Sequence, residues 1–377
     1  MHPFLSKSDF KIAQSCITKL FYKKNGFPSA DEQNEYLLML ADGGYMVGKM
    51  AQLLYEHGIE ITTDKGTPEA IVKTEEYLQN ENIILFEPAI SVNHKLIRID
   101  ILVKKGNYFQ VIEVKSKSFD SIGYSNTKLQ GKKYFELAEW REYIEDITFQ
   151  KFVLQEKFPT AKIESFLLLP HKSKVTPIEG LLEWFQIKET TIVGKTKFRK
   201  TEVDFTGNID ELKKGHVLEL VQVDEYVDKI LPSIESNAKI YIDSVLANQK
   251  VESIIDTSCS KCEFTVTNDS FIESGFKQCW KELADVKPHL FELSQLGNFN
   301  RSKDKHIDSL IKNKKVSLSD IPIEIIQDKY NNRPFYQVTK RKSFYYLVFW
   351  KKSNKLNTLC LLLISKHPKW QFLTMQA

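Results

Sequence analysis

The sequence is poor in most features that would assign it to a specialised class. Its five cysteines, odd in number and unevenly placed, do not make a secreted disulfide framework. With 15 glycines and 12 prolines it is neither collagen-like nor a Pro/Gly low-complexity chain. No run approaches the roughly 18 consecutive apolar residues of a spanning helix; the most apolar stretch, Leu359 to Ile364, is far too short. The opening MHPFLSKSDF has no apolar signal-peptide core and no small-residue cleavage site. Neither sign of charge dominates, since 53 Lys+Arg against 49 Asp+Glu leaves +4. That balance neither demands a nucleic-acid partner nor excludes one. P-loop, nucleophile-elbow and dinucleotide fingerprints are also missing, so no motor is expected. These absences lead us to expect a soluble, cytoplasmic protein from a reducing compartment, with no membrane partner.

What is present is a chain of 377 residues, 42% hydrophobic, long enough for two or three domains. Ser8 or Asp9 is expected to cap a first helix, FKIAQSCITKLFYKK, with Ile12, Cys16, Leu20 and Phe21 at helical spacing. Asp31 to Tyr55 is helical in pattern, with breaks expected at Gly43-Gly44 and Gly48. Thr67-Pro68-Glu69 reads as an N-cap, a first-turn proline and an acidic first turn, opening a helix to about Gln79. From Ile83 the pattern turns to strands: 83–92, 96–103 and 109–116, a meander with short polar turns. A helix over about Leu129 to Lys157 and a strand over 163–170 follow. Residues 172–235 mix short strands such as Val217–Val223 with polar loops, and a helix over 224–249 should break at Pro232. The fold class expected is α/β, a mixed sheet flanked by helices. Residues 1–82 form a helical N-terminal part, 83–171 the core, 172–297 a cysteine-containing C-terminal part and 298–377 a tail.

Alternate residues of a strand share a face. Ile97, Ile99, Ile101 and Val103 would form one face of 96–103, with Arg98 and Asp100 on the other. Glu113 and Lys115 share a face with Phe109 and Val111. If these strands pair as a hairpin, Asp100, Glu113 and Lys115 converge. Carboxylates on neighbouring strands suit a hard divalent cation such as Mg²⁺, and a nearby ammonium can orient a water and stabilise charge on a phosphate. Glu87 could add a further carboxylate. Equally, a hairpin can carry Asp, Glu and Lys as a solvated ion cluster.

Cys259-x-x-Cys262 and Cys279 place three thiols in one local region, whereas Cys16 is remote in sequence. Such a set suits metal, while a lone CxxC is also a redox pair or chance. Cys360 reads as buried. Trp140, Tyr143, Phe149 and Phe152 read first as core and second as stacking platforms. The lysine runs 128–133, 312–315 and 340–342 could follow a phosphate backbone, or be solvated faces.

Arg98-Ile99-Asp100, then Ile112-Glu113-Val114-Lys115, then a helix carrying Gln150, resemble the D…ExK…Q motifs of the PD-(D/E)XK nuclease superfamily. The nearer resemblance is to its RecB-like branch, which includes the nuclease domain of AddB and CRISPR-associated nucleases, and to a bacterial domain-of-unknown-function family. It rests on LSKSDFKIAQSCITKLFY, GYMVGKMAQLLYEHGIEI, LFEPAI, RIDILV, VIEVKSKS, YIEDITFQKFVLQ, CSKCEF and FKQCWKEL, between Leu5 and Pro322. The resemblance implies a metal-dependent deoxyribonuclease acting on DNA, with single strands or ends as substrate. Asp100 and Glu113 would hold Mg²⁺ or Mn²⁺, Lys115 would be the catalytic lysine and Gln150 the glutamine of the downstream helix. Cys16, Cys259, Cys262 and Cys279 would hold a [4Fe–4S] cluster, with Zn²⁺ the chemical alternative. The sequence departs from the pattern in two places. Leu154 stands where the branch has a tyrosine, and the segment Gly44 to Lys49 carries no metal-ligating histidine, His57 falling instead near a helix end. Larger relatives continue into an RNase H-like exonuclease domain, and residues 323–377 show no D-x-E start for one. The alternative is a non-catalytic nucleic-acid-binding or scaffold protein with a degenerate core and a structural metal.

Overall fold

The computed structural model describes residues 4–62, 66–120, 134–193, 197–293 and 306–322. The chain divides into two compact units, one of Met1–Ser253 with Val266–Gly275 and one of Ile254–Thr265 with Phe276–Ala377. The lysine run 128–133, the run 340–342, Cys360 and the whole tail 323–377 lie outside the described residues.

The first unit is mixed α/β. Its N-terminal strand β1 (Leu5–Ser6) leads into α1 (Lys7–Ser15), which is capped by Ser6 and not by the expected Ser8 or Asp9. The Ser6 hydroxyl accepts from the Asp9 N–H and the Asp9 carboxylate accepts from the Ser6 N–H, so two orphan donors are satisfied reciprocally. The expected single helix is two. Cys16 takes an extended backbone that ends α1 and starts α2 (Ile17–Lys24). The helix α3 (Glu35–Leu53) runs through Gly43, Gly44 and Gly48 without the expected break. Asn34 caps it through the N–H groups of Tyr36 and Leu37, while Met46, Val47, Met50 and Ala51 pack it onto a core. That packing outweighs the helix-propensity cost of glycine, about 1 kcal/mol each. In α4 (Thr67–Tyr77) the cap is Gly66, and Thr67 is already helical.

The expected meander is present, but two of its strands are bent. Segment 83–92 divides into β3 (Asn82–Phe86) and β4 (Ala89–Val92), and segment 96–103 into β5 (Lys95–Arg98) and β6 (Ile101–Lys105). Pro88 has no N–H for a ladder, and Glu87 before it adopts φ 53°. The bends face each other: Glu87 N–H donates to the Asp100 carbonyl and Ile99 N–H to the Pro88 carbonyl, both at 3.2 Å. As a result β4 and β5 join β1 in a three-stranded sheet, while β3 and β6 enter a six-stranded one. Ile97 and Ile99 therefore sit in one core and Ile101 and Val103 in the other. The expected common face for these four is not found.

The larger sheet continues through β7 (Tyr108–Val114), α5 (Arg141–Lys157), β8 (Lys162–Pro170) and β11 (Leu218–Gln222). With β2 (Ile59–Glu60) the order is β11-β8-β7-β6-β3-β2, parallel for β7–β8 and β2–β3 and antiparallel elsewhere. The parallel β7–β8 pair needs a crossover, and α5 lies within it. This helix starts at Arg141; the expected start near Leu129 falls outside the described residues.

One face of the sheet, with Leu102, Phe109, Val111 and Leu167, packs on α5 and on α7 (Asp224–Leu246). The other, with Ile101, Val103, Ile112 and Leu168, packs on α3, on α6 (Ile209–Gly215) and on the start of a hairpin. That hairpin, β9 (Phe185–Val193) with β10 (Lys197–Phe205), is longer than the short strands expected there. Helix α7 passes through Pro232 unbroken. Pro232 is on the exposed side, where water serves the carbonyl that its missing N–H leaves free.

In the second unit α8 (Gly275–Trp280) and α9 (His306–Lys312) surround a small core of Trp280, Leu290, Ile307, Ile311 and Val316. No helix among the described residues is long and apolar enough to cross a membrane.

Candidate active site

The β3–β6 ladder ends at Phe86–Ile101 and the β6–β7 ladder at Ile101–Ile112. The next residues on the three strands are Glu87, Asp100 and Glu113. Three carboxylates thus lie in one row at the same end of the sheet.

Glu113 shares its face with Phe109 and Val111, as alternation requires, but that face is not solvated. Helix α5 covers it, and Glu113 is 1% exposed. Its Oε1 accepts from Lys115 Nζ at 2.7 Å and Lys7 Nζ at 2.9 Å. Its Oε2 accepts from Lys7 Nζ at 3.0 Å and Gln150 Nε2 at 2.6 Å. Burial by itself would push this carboxyl up; the ammoniums of Lys7 and Lys115 and the Gln150 amide reverse that and hold it down at about 2.

Lys115 follows β7, and its N–H donates to the Leu168 carbonyl. Its ammonium touches Asp146 Oδ2 at 2.9 Å as well as Glu113, and lies 5.4 Å from the Tyr143 ring centre. Burial would lower its pKa, but Glu113 and Asp146 raise it above the ordinary lysine range. It therefore stays an ammonium at neutral pH.

Asp100 is fixed at the bend by the Val114 N–H, which donates to its Oδ2 at 2.6 Å. Burial, then the charge of Glu113, push its carboxyl up to about 8 against the pull of Lys7. Glu87 is likewise pushed up by burial, with Lys7 and Arg98 opposing. Its left-handed φ costs roughly 1–2 kcal/mol, a strain of the kind that persists where surrounding structure demands it.

Gln150 is fully buried on α5, one turn beyond Asp146. Its amide orientation follows from Glu113, which can only accept. Its Oε1 has no hydrogen-bond partner among the described residues.

Asp100 and Glu87 open onto a cleft of about 760 Å³, lined also by Gly44, Gly48 and Lys49 of α3 and by residues of β10. The cleft is acidic, with Glu60, Glu202 and Asp204 adding to the two carboxylates and Lys49 opposing them. His57 is exposed in the turn after α3 and is not among the cleft residues.

Two participants escaped the sequence. Asp146 precedes Gln150 by four residues, a spacing that puts both on one helix face and could have revealed it. Lys7 lies 106 positions from Glu113, and no local pattern points to it. Of the aromatic set, Trp140 and Phe149 are buried and Tyr143 and Phe152 partly so, which is core packing.

The cysteines belong to different units. In the first, Cys16 is half-buried and its thiol donates to the Ser253 hydroxyl at 3.3 Å. In the second, Cys259 lies in a 3₁₀ turn that Cys262 ends, and Cys279 is in α8; Cys259 and Cys279 pack against the same small core. None of the four is in a disulfide. Among the described residues, no group of three or more His, Cys, Asp or Glu side chains is arranged to hold a metal ion. No protein-family model matches the sequence, and a comparison with curated proteins returns no significant match.

Proposed function

We propose that this chain is a metal-dependent nuclease with a PD-(D/E)XK, RecB-like core, hydrolysing phosphodiester bonds of DNA, with single strands or ends as substrate. The observation that carries this reading is the row Glu87, Asp100, Glu113 at one end of the mixed sheet, with the Lys115 ammonium on its innermost carboxylate.

The donor chemistry of the row suits a hard divalent cation. All the donors are carboxylate oxygens, which suit Mg²⁺ or Mn²⁺. Asp100 keeps a proton up to about pH 8 because burial and Glu113 disfavour a second anion there, and a cation would relieve the same excess of negative charge. Glu87, Asp100 and Glu113 would hold the ion after a side-chain rearrangement, because they are not already gathered as a three-ligand site. When bound, it supplies Lewis acidity toward water and phosphate and neutralises charge that develops on the scissile group. Lys115 is held charged by Glu113 and Asp146, so it acts as a hydrogen-bond donor to the attacking water and the phosphate and not as a base. Gln150 orients Glu113, and Asp146 orients Lys115; both are positioning residues. A polyanion gains nothing from entering so acidic a cleft without a cation, so substrate binding there depends on metal. Thiols are soft donors of the kind that a [4Fe–4S] cluster or zinc takes, and Cys259, Cys262 and Cys279 share the second unit.

One observation favours a non-catalytic nucleic-acid-binding or scaffold protein: both Glu113 oxygens are already satisfied by protein donors. The two readings separate on incubation of labelled single-stranded and duplex DNA with the protein in Mg²⁺, Mn²⁺ or EDTA, beside Asp100→Asn. Cleavage that needs the cation and Asp100 supports the nuclease. Metal-independent cleavage by both proteins, or binding without cleavage, removes it.

A further inference from the structure

The first turn of a helix favours acidic residues, because its free N–H groups carry partial positive charge. In α1 Asp9 obeys that preference and Lys7, the first helical residue, violates it. Its partner lies elsewhere. The parallel pairing of Leu5 with Lys95 and of Ser6 with Leu96, together with the Ser6–Asp9 capping box, fixes where α1 begins. From that point the Lys7 stem reaches Glu113 and places its ammonium across both carboxylate oxygens, at 2.9 and 3.0 Å.

A carboxylate offers about four lone-pair sites, and four contacts from Lys7, Lys115 and Gln150 fill those of Glu113. A cation that takes Glu113 as a ligand must displace one donor. Gln150 is fully buried, and Lys115 is pinned a second time by Asp146. Every side-chain hydrogen bond that Lys7 makes among the described residues goes to Glu113, and its side chain is 25% exposed. Lys7 is the donor that can leave.

We propose that Lys7 is a built-in counter-ion that competes with the divalent cation for Glu113 and swings out to water or to a substrate phosphate when the cation binds. This rests on the nuclease reading above. Lys7 thereby keeps the buried carboxylate satisfied in the absence of metal and sets the cation concentration at which the site fills.

The test is Mn²⁺ binding without nucleic acid, read from the electron paramagnetic resonance signal of free Mn²⁺, together with the thermal midpoint in EDTA and in Mn²⁺. The proteins compared are wild type, Lys7→Met, Lys7→Gln and Lys11→Met, an exposed charge on the same helix that pairs with Glu142. Removing the competing charge should tighten Mn²⁺ binding about tenfold or more in both Lys7 variants. Their midpoints should fall in EDTA and rise further than wild type on adding Mn²⁺, with Lys11→Met unchanged. Binding to Lys7→Gln that is equal to or weaker than wild type overturns the competition while leaving the metal site intact. Absence of Mn²⁺ binding in every protein overturns the nuclease reading itself, and this inference with it. Lys7→Gln keeps hydrogen-bond donors at the position, so the comparison survives if Lys7→Met fails to fold.

Discussion

Glu87 and Asp100 face each other across a bend shared by two strands, with the Glu87 N–H on the Asp100 carbonyl at 3.2 Å. The bend takes both carboxylates out of regular ladder positions and aligns them with Glu113, the next residue on the neighbouring strand. Three acids in a row, Glu113 fully buried and Glu87 and Asp100 half-buried, are costly unless something positive joins them.

That cost should be measurable. Asp100 is protonated in the folded state up to about pH 8, far above its ordinary 3.8, so the folded chain binds the proton more tightly than the unfolded one. Its contribution to stability is therefore present at low pH and falls as pH rises, by up to about 1.4 kcal/mol per pH unit between these two values. Asp100→Asn should then be more stable than wild type in EDTA at pH 8 and close to it at pH 4. Urea denaturation at the two pH values checks this; an Asn variant that is less stable at pH 8 contradicts it.

The same proton competes with a cation. Mn²⁺ affinity should rise with pH by up to about tenfold per unit until Asp100 ionises near pH 8, then level off. Calorimetry in buffers of different ionisation enthalpy should show proton release on binding below that pH. A pH-independent affinity would remove Asp100 from the ligand set.

Gln150→Ala takes a 2.6 Å donor from Glu113 and removes a buried acceptor that has no partner among the described residues. These effects oppose each other in stability, leaving a net loss of about 1 kcal/mol. Activity should suffer more, by roughly 10–100-fold, because the carboxylate loses its orientation. A drop in activity matched by an equal loss of folded protein would make Gln150 merely structural.

In α3, Gly48 has open space where a side chain would begin. Gly48→Ala should therefore stabilise the protein by roughly 0.5–1 kcal/mol. Gly48 also lines the cleft beside Asp100, so the same variant should weaken metal-dependent DNA binding if the strand passes there. Thermal midpoints and binding isotherms on one preparation separate the two effects.

Much of this arrangement was legible in the chain because strand alternation is a short-range rule. Phe109, Val111 and Glu113 share a face whatever surrounds them, and the polar turns marked the meander. Alternation also misled. Residues 96–103 contain no glycine or proline, so nothing local showed that Ile97 and Ile101 would enter different cores; the bend comes from Pro88 on the neighbouring strand. Gly43, Gly44 and Pro232 point to breaks by local propensity alone, and the tertiary setting that overrides propensity has no local signature. Lys7 was invisible for a simpler reason: its partner is 106 residues away, and only the tertiary fold brings them together.

The cysteines provide an independent check. Anaerobic purification followed by an absorption spectrum and metal analysis should find iron with sulfide, or zinc, lost together with stability in Cys259→Ser. A colourless, metal-free and fully stable protein would remove the cluster from the account.

The most direct measurement is the cleavage of end-labelled single-stranded DNA in Mn²⁺ by wild type and by Lys115→Met. Lys115 is charged, touches Glu113 and Asp146, and is assigned to the transition state and not to binding. Wild type should cleave in an Mn²⁺-dependent manner and Lys115→Met about 10²-fold or more slowly, with DNA binding retained. Equal cleavage by the two proteins, or cleavage that persists in EDTA, would contradict this.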